Sequence, residues 1–376
     1  MKPLKVHRFD VIVIGAGVIG LSIAYELAKQ GRRVGLLERG AGPGCESSNA
    51  AAGILAPEED AQGPGPFLDL CLRSWSLFPA LVRTLERETR IPLGYRRSGL
   101  LSLAQLSSDE AELETRYRWQ RACRLRVSRL TARQVRSLEP AVDGRLRWAL
   151  FYHDDHQIDN ARFTQALAMA AQKRGVRIFF GHEVRHILVR SHRVCGAEGA
   201  QGRFESPVVV DAAGSWANLD GRLGFQVPVV PAKGQMVALQ MARPLFKRIV
   251  KSKRAYLVSR RGGRLLVGAT VEFAGFDKTV TANAVEGLIQ GAREISSRVG
   301  SAEFRETWAG LRPCSQDRFP ILGPTPMEGF FVAAGHFRDG ILLAPLTGKV
   351  MADLIVRGKA PLDLKPFALE RFFKES

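Results

Sequence analysis

The sequence contains no uninterrupted apolar run of about 18 residues, the length a helix needs to cross a bilayer. No transmembrane segment is expected. Cysteine is sparse: Cys45, Cys71, Cys123, Cys195 and Cys314 are odd in number, and no two stand as Cys-x-x-Cys. That pattern argues against a disulfide framework or a zinc site and for a reducing, cytoplasmic setting. His153, His156, His182, His186 and His192 sit in the central region without a partner set of metal-ligand spacing, so no metal is expected. Repeats and low-complexity tails are absent. Acid is in short supply, with 37 Asp plus Glu against 55 Lys plus Arg and a net charge of +18.

That imbalance can serve nucleic acid, an anionic membrane surface or an acidic ligand. Arginine carries most of it, and the densest run is Arg116, Arg118, Arg121, Arg124, Arg126, Arg129, Arg133 and Arg136. Glu110, Glu112 and Glu114 precede the run in a helix-like stretch, which reads as a solvated or interface face. No zinc-finger or RNA-recognition signature accompanies it, so no nucleic-acid partner is expected. A homo-oligomer is expected, with this stretch as a candidate assembly surface. Lys2, Lys5 and Arg8 before Val11–Ile14 resemble the start of a signal peptide. Gly15, Gly17 and Gly20 interrupt the apolar run, and no convincing cleavage site follows.

What is present is a chain of 376 residues, 45% apolar and 24% charged, enough for two domains or one large α/β unit with an insert. Residues 9–14 read as a buried parallel strand, 18–30 as a helix and 34–37 as a second strand ending at Glu38. Residues 41–66 read as an extended loop or short helix start, followed by helix to about 90. A strand is expected at 98–103 and helix over 107–139. Asp159 and Asn160 offer an N-cap to a helix at 161–174. Strands follow at 176–180, 184–190, 194–198 and 208–211, with several more over 226–272. A helix at 281–299, strands at 303–309 and 330–333, a tight loop at 335–340 and a helix at 341–356 complete the chain.

Gly15-Ala16-Gly17-Val18-Ile19-Gly20 is a G-x-G-x-x-G between predicted strand and predicted helix. Gly15 permits the tight turn, Gly17 a close backbone approach to a pyrophosphate, and Gly20 close helix–strand packing. The helix N-terminus offers unpaired N–H groups and a positive dipole end to phosphates. Glu38 stands where a carboxylate accepts ribose hydroxyls. A dinucleotide site follows, and Glu38 disfavours a ribose 2′-phosphate. Strand 208–211 with Ala212-Ala213-Gly214 is similar to a second FAD fingerprint. The helix after Gly335 is another N-terminus able to stabilise an anionic cofactor edge.

At this point four segments resemble one family: Val11–Gly20, Ser47–Gly53, Trp308-Ala-Gly-Leu-Arg-Pro313 and Gly335-His-Phe-Arg-Asp-Gly-Ile-Leu-Leu-Ala-Pro345. The chain resembles FAD-dependent amino-acid oxidoreductases of the D-amino-acid oxidase superfamily, and within it the glycine oxidases of bacterial thiamine biosynthesis. The resemblance implies a mixed α/β fold: a Rossmann-like FAD-binding domain (1–90, 150–225, 305–376) and an inserted mixed β-sheet substrate domain (91–149, 226–304). It implies that Val18 and Ile19 line the phosphate turn, with Glu38 and Arg39 at the adenosine. Ser47, Ser48, Ala52, Gly53 and Ile54 would contact phosphate and flavin, and Val184 the adenine. Gly214 would join them, and His336, Phe337, Arg338, Asp339, Gly340, Ile341 and Leu342 would wrap the flavin's pyrimidine end. Arg312, Arg338 and Tyr256 would serve the substrate.

Two departures stand out. Val271 occupies a position where this branch commonly has methionine. Relatives with covalent flavin carry cysteine where this chain has Gly310, so non-covalent FAD is expected, with Cys314 a buried filler. The implied reaction is oxidation of an amine beside a carboxylate, with dioxygen reduced to peroxide, and small amino acid and dioxygen as partners. The flavin carries the hard step. A dehydrogenase of D-amino or N-methyl acids using a quinone or partner protein, and a tRNA-associated flavoprotein, are the alternatives.

Overall fold

Val11–Ile14, four apolar branched residues, form a strand buried along its whole length. It pairs in parallel with Val34–Leu37 on one side and Val209–Asp211 on the other. This computed structural model describes residues 6–199, 202–218 and 220–373. The central strand belongs to a six-stranded sheet that runs, in spatial order, 321–324, 330–334, 209–211, 11–14, 34–37 and 177–179. The pairings are parallel except the hairpin Ile321–Pro324 with Phe330–Ala334. The helices Val18–Lys29 and Gly340–Arg357 pack side by side, and Pro66–Thr89 and Asn160–Lys173 pack onto them. Their apolar faces close the largest core around Leu21, Phe78, Phe163 and Leu343. Burying such side chains contributes roughly 1.5–3 kcal/mol each. Asp159 caps the Asn160–Lys173 helix by accepting from Arg162 N at 3.1 Å.

The second layer is an eight-stranded sheet in the order 303–315, 229–240, 264–268, 256–259, 249–251, 100–104, 148–152 and 127–131. All its pairings are antiparallel except Ile249–Lys251 with Leu100–Ala104. Helix Ala282–Ile295 packs on it through Leu288, Ala292 and Ile295. A four-stranded sheet (6–8, 202–205, 193–199, 184–190) flanks the first layer. Among the described residues no helix is long and apolar enough to cross a membrane.

Several expectations are corrected. The stretch 107–139 is not one helix: helix Ser107–Ala122 ends, Val127–Thr131 pairs with Trp148–Tyr152, and a short helix Ala132–Leu138 follows. Arg124 makes the turn at φ 59. The arginine run consequently lies on no single helix face. Arg116 is buried and donates to the carbonyls of Glu59 and Ala61. Arg118 and Arg129 share Glu114, and Arg126 pairs with Asp154. The helix expected over 281–299 ends at Ile295 and gives way to a tighter turn at Ser297–Ser301. Residues 41–66 contain Ser47–Ala50, Ile54–Leu55 and Pro57–Asp60 as short regular pieces. The strand expected at 303–309 runs on to Ser315, because it pairs with Val229–Gln240 along almost its entire length. It crosses the expected boundary at 304/305, and Trp148–Tyr152 crosses that at 149/150.

Candidate functional site

A cavity of about 480 Å³ is lined by residues from both large sheets, a volume within the usual range of cofactor clefts. At one end stands the turn after Val11–Ile14. Gly15 has φ +101, and a Cβ there would come within 2.6 Å of Ala212 O, so this turn requires glycine. Helix Val18–Lys29 starts here without a side-chain cap or an acidic residue in its first turn. Its positive end is directed at the cavity through Gly17, Val18 and Ile19. Ser48 Oγ accepts from Val18 N at 2.9 Å. Glu38 accepts from Ala16 N at 2.6 Å and Gly40 N at 2.7 Å. These bonds fix its carboxylate at the cavity wall, beside Arg39, Ser47 and Ser48.

The wall continues through Ala52, Gly53 and Ile54, and Val184 and Gly214 line the cavity as well. Gly53 has φ +64, and a Cβ on it would meet Ile158 O at 2.0 Å. Arg260 donates to the carbonyls of Ala52 and Ile158 and holds this turn. Burial pulls the Arg260 pKa down to about 10. Sequence reasoning missed Arg260, which directly follows strand Tyr256–Ser259 of the other sheet. It also missed Asn160, whose amide donates to the carbonyls of Ser48 and Asn49 at 2.8 and 3.1 Å.

At the far end the helix Gly340–Arg357 begins, again without a side-chain cap, and Gly340 and Ile341 line the cavity. His336 and Phe337 line it too. His336 Nε2 lies 3.1 Å from Thr347 Oγ1, and burial pushes its pKa down to about 3, so the ring is neutral. Arg312 lies within strand Glu303–Ser315 rather than after it. Its Nη1 donates to Thr270 O at 3.0 Å. Its guanidinium rests on the Gly234 backbone, where a Cβ would come within 2.2 Å of it. Tyr256 OH reaches Met236 Sδ at 3.2 Å. Burial raises the Tyr256 pKa, with Arg312 and Arg338 opposing the shift. Burial likewise lowers that of Arg312, with Tyr256 opposing it and Arg338 reinforcing it. Arg338 lies over the Phe337 ring, 5.2 Å from its centre. Among the described residues, neither Arg312 nor Arg338 has a carboxylate within ion-pair distance.

Three expected cofactor residues lie off the cavity wall. Gly20 packs helix on strand: a Cβ there would stand 1.9 Å from Gly15 O. Asp339 is buried beside Asp60 and precedes the first residue of the C-terminal helix; burial and that neighbour push its pKa well up. Leu342 is in the core and its carbonyl accepts from Ser74 Oγ at 2.6 Å. Glu59, Asp60 and Lys251 line the cavity without having been anticipated, and Lys251 pairs with Glu59. Val271 lines it as well. Among the described residues no group of three or more His, Cys, Asp or Glu is placed to hold a metal ion.

Two helix N-termini without a cap from their own N-cap residues, a cleft lined from both sheets and a wall carboxylate at the strand end fit a flavin dinucleotide, whose phosphates and pyrimidine edge are the electron-rich parts. The family model "FAD dependent oxidoreductase" (DAO) matches residues 10–354. The glycine oxidase of Geobacillus kaustophilus (strain HTA426) is 37% identical over 370 residues, 97% of each chain. The crystal structure of glycine oxidase from Geobacillus kaustophilus superposes with a TM-score of 0.93, covering 97% of this chain and 99% of that one. The bifunctional protein ThiO/ThiG of Synechocystis sp. (strain ATCC 27184 / PCC 6803 / Kazusa) is 35% identical, covering 96% of this chain and 54% of that protein. This chain belongs to the DAO family of FAD-dependent oxidoreductases and is similar over its whole length to glycine oxidases.

Proposed function

We propose that this chain oxidises glycine, or a comparably small amine acid such as sarcosine or a small D-amino acid, to its imine, with dioxygen reduced to hydrogen peroxide. The observation that carries this reading is Arg312, free of any carboxylate partner among the described residues and resting on Gly234 in the cavity shared with Arg338 and Tyr256. A guanidinium in that place clasps a carboxylate through two parallel hydrogen bonds. Clasping fixes position and rotation of a substrate with little apolar area, which is most of what the protein must supply. Arg338 adds a second positive charge, and Tyr256 is the hydroxyl that can turn from Met236 to the carboxylate. FAD held along this cavity by the Gly15–Ile19 turn, Glu38, the 47–54 segment and the start of Gly340–Arg357 would supply the two-electron chemistry, with dioxygen as the final acceptor. The start of Gly340–Arg357, on the cavity wall without a side-chain cap, would offer its positive dipole end to a cofactor edge that gains negative charge.

The layer around Val11–Ile14 is read as the FAD-binding domain and the eight-stranded layer as the substrate domain. The site roles given to Gly15, Gly17, Val18, Ile19, Glu38, Arg39 and the 47–54 segment belong to the same proposal. FAD is held non-covalently. Gly310 has Ala50 Cβ within 2.4 Å of where its own Cβ would be, and Cys314 is buried with its thiol against Ser315 O. Supply of imine for the thiamine thiazole, which the resemblance to glycine oxidases of thiamine biosynthesis implies and the similarity to a ThiO/ThiG protein supports, is part of this reading; a cytoplasmic location and a homo-oligomer are proposed alongside it.

The test is a substrate panel on purified yellow protein. Glycine should bleach the flavin without oxygen and yield peroxide with it. Bleaching without peroxide would replace the oxidase with a dehydrogenase, and no bleaching by any small amine acid would overturn the reading. Acid or heat should release the flavin, and flavin left on the denatured chain would overturn the non-covalent part.

A further inference from the structure

Between strand Arg264–Gly268 and helix Ala282–Ile295 the chain makes an excursion with no regular structure. Its base is built around Lys233, whose side chain is 3% exposed. The Lys233 ammonium reaches Glu272 at 3.2 Å, Asp277 at 3.4 Å and the Thr279 carbonyl at 3.2 Å. Lys233 and Glu272 also exchange backbone hydrogen bonds. Gln235 accepts from Thr281 N at 2.9 Å and donates to Glu272 at 2.9 Å. Both ends of the excursion are thus tied to strand Val229–Gln240. A segment so anchored presents its middle as a rigid arm rather than a mobile loop.

The middle reaches the nucleotide end of the cavity. Phe276 packs on Trp216 with ring centres 5.2 Å apart, and Lys278 pairs with Glu46 at 3.0 Å. The other partner of Trp216 is the Arg39 guanidinium, 3.6 Å from the ring centre. Arg39 in turn pairs with Glu46 at 2.7 Å. Arg39, Glu46 and Trp216 line the cavity; Phe276 and Lys278 do not. The middle of the arm therefore touches the cavity wall from outside, while Val271 at its base lines the cavity. The middle joins three wall residues that come from two separate stretches of chain, 39–46 and 216.

We propose that residues 270–281 are a clasp for the bound cofactor. Phe276 and Lys278 are positioning residues that hold the Trp216–Arg39–Glu46 wall in place over the nucleotide end and slow FAD release. The inference rests on the FAD reading and goes beyond it, since neither residue touches the cavity. Both are well exposed, Phe276 at 54% and the Lys278 side chain at 45%, so replacing them leaves the core intact.

The experiment measures FAD affinity and dissociation rate on apoprotein reconstituted with FAD, for wild type, F276A, K278A, the double variant and K278R. An aromatic contact and a half-exposed ion pair are each worth a small factor, so each alanine should weaken FAD about threefold and the pair about tenfold, mainly through faster release. K278R should match wild type, and kcat at saturating FAD should stay within about twofold. The apoprotein melting temperatures should stay within about 2 °C. A double variant that binds and releases FAD like wild type overturns the clasp. So does weaker binding accompanied by an equally destabilised apoprotein, which would make the contact a brace for the fold. A wild-type protein that takes up no FAD would remove the cofactor reading itself, a result distinct from both.

Discussion

Arg312 owes its placement to a residue without a side chain. Its guanidinium lies where a Gly234 Cβ would be, 2.2 Å away, so any side chain at 234 must push it off the backbone. Arg312→Ala should keep fold and FAD but lose roughly 2–4 kcal/mol in kcat/KM for glycine, on the order of 30- to 1000-fold. Gly234→Ala should give a loss of the same order with Arg312 still present, because a misplaced fork clasps poorly. Steady-state kinetics alongside flavin content check both, and near-normal kcat/KM in either folded variant would remove Arg312 as anchor. Arg312 was legible in the sequence through its motif. Gly234 was not, since nothing near it in the chain announces a function. Strand pairing of Gly234 with Gly310 and of Ala232 with Arg312 makes the meeting.

At the scale of the element, the turn into Val18–Lys29 separates two glycines that a motif treats alike. A Cβ on Gly20 meets Gly15 O at 1.9 Å, whereas one on Gly17, with φ −71, meets Ser48 Oγ at 3.3 Å and nothing else within 4 Å. Gly20→Ala should therefore lower the apoprotein melting temperature by roughly 5 °C or more, as the helix is forced off its strand. Gly17→Ala should leave the apoprotein near wild type and lose FAD, because its cost falls on the ligand's approach. Thermal melts with and without FAD distinguish the two, and equal apoprotein losses would defeat the distinction. This βαβ unit was readable because branched residues and glycines mark each boundary. Strand Val127–Thr131 was not: it lies in an arginine-rich stretch of helical composition, and the turn before it uses Arg124 at positive φ in place of glycine. Its strand character appears only in the antiparallel pairing with Trp148–Tyr152.

The whole molecule assembles its site from two sheets whose strands interleave along the chain, which is why Arg260, Asp60 and Trp216 escaped a reading made segment by segment. The same interleaving buries acids, and that sets the pH response. Asp211 ends the strand beneath the nucleotide turn and is fully buried. Its Oδ1 accepts from Ala213 N at 2.9 Å, and its Oδ2 has no partner among the described residues. Burial pushes its pKa up to about 8, the Ala213 bond opposing the shift; Glu58 is pushed the same way, to about 7. In the unfolded chain a carboxyl of either type ionises near pH 4. Between those values the folded state holds more protons than the unfolded one, so stability falls as pH rises and stops falling above about 8. Neutral buried His156 and His336, pulled to about 4 and about 3 by burial, act in the opposite direction, but only below the ordinary histidine value of about 6.5. From about pH 6.5 to 8 the acids act alone, and the apoprotein melting temperature should decline. Asp211→Asn keeps the acceptor for Ala213 N and cannot ionise. It should flatten the decline and gain on wild type by roughly 4 kcal/mol between pH 5 and pH 8, about 1.4 kcal/mol for each pH unit over which the folded acid keeps its proton. Thermal melts of both apoproteins across pH 5–8.5 decide it: a wild-type curve that is level or rising over the upper half, or an Asp211→Asn curve of unchanged slope, would mean that this acid is ionised in the folded protein.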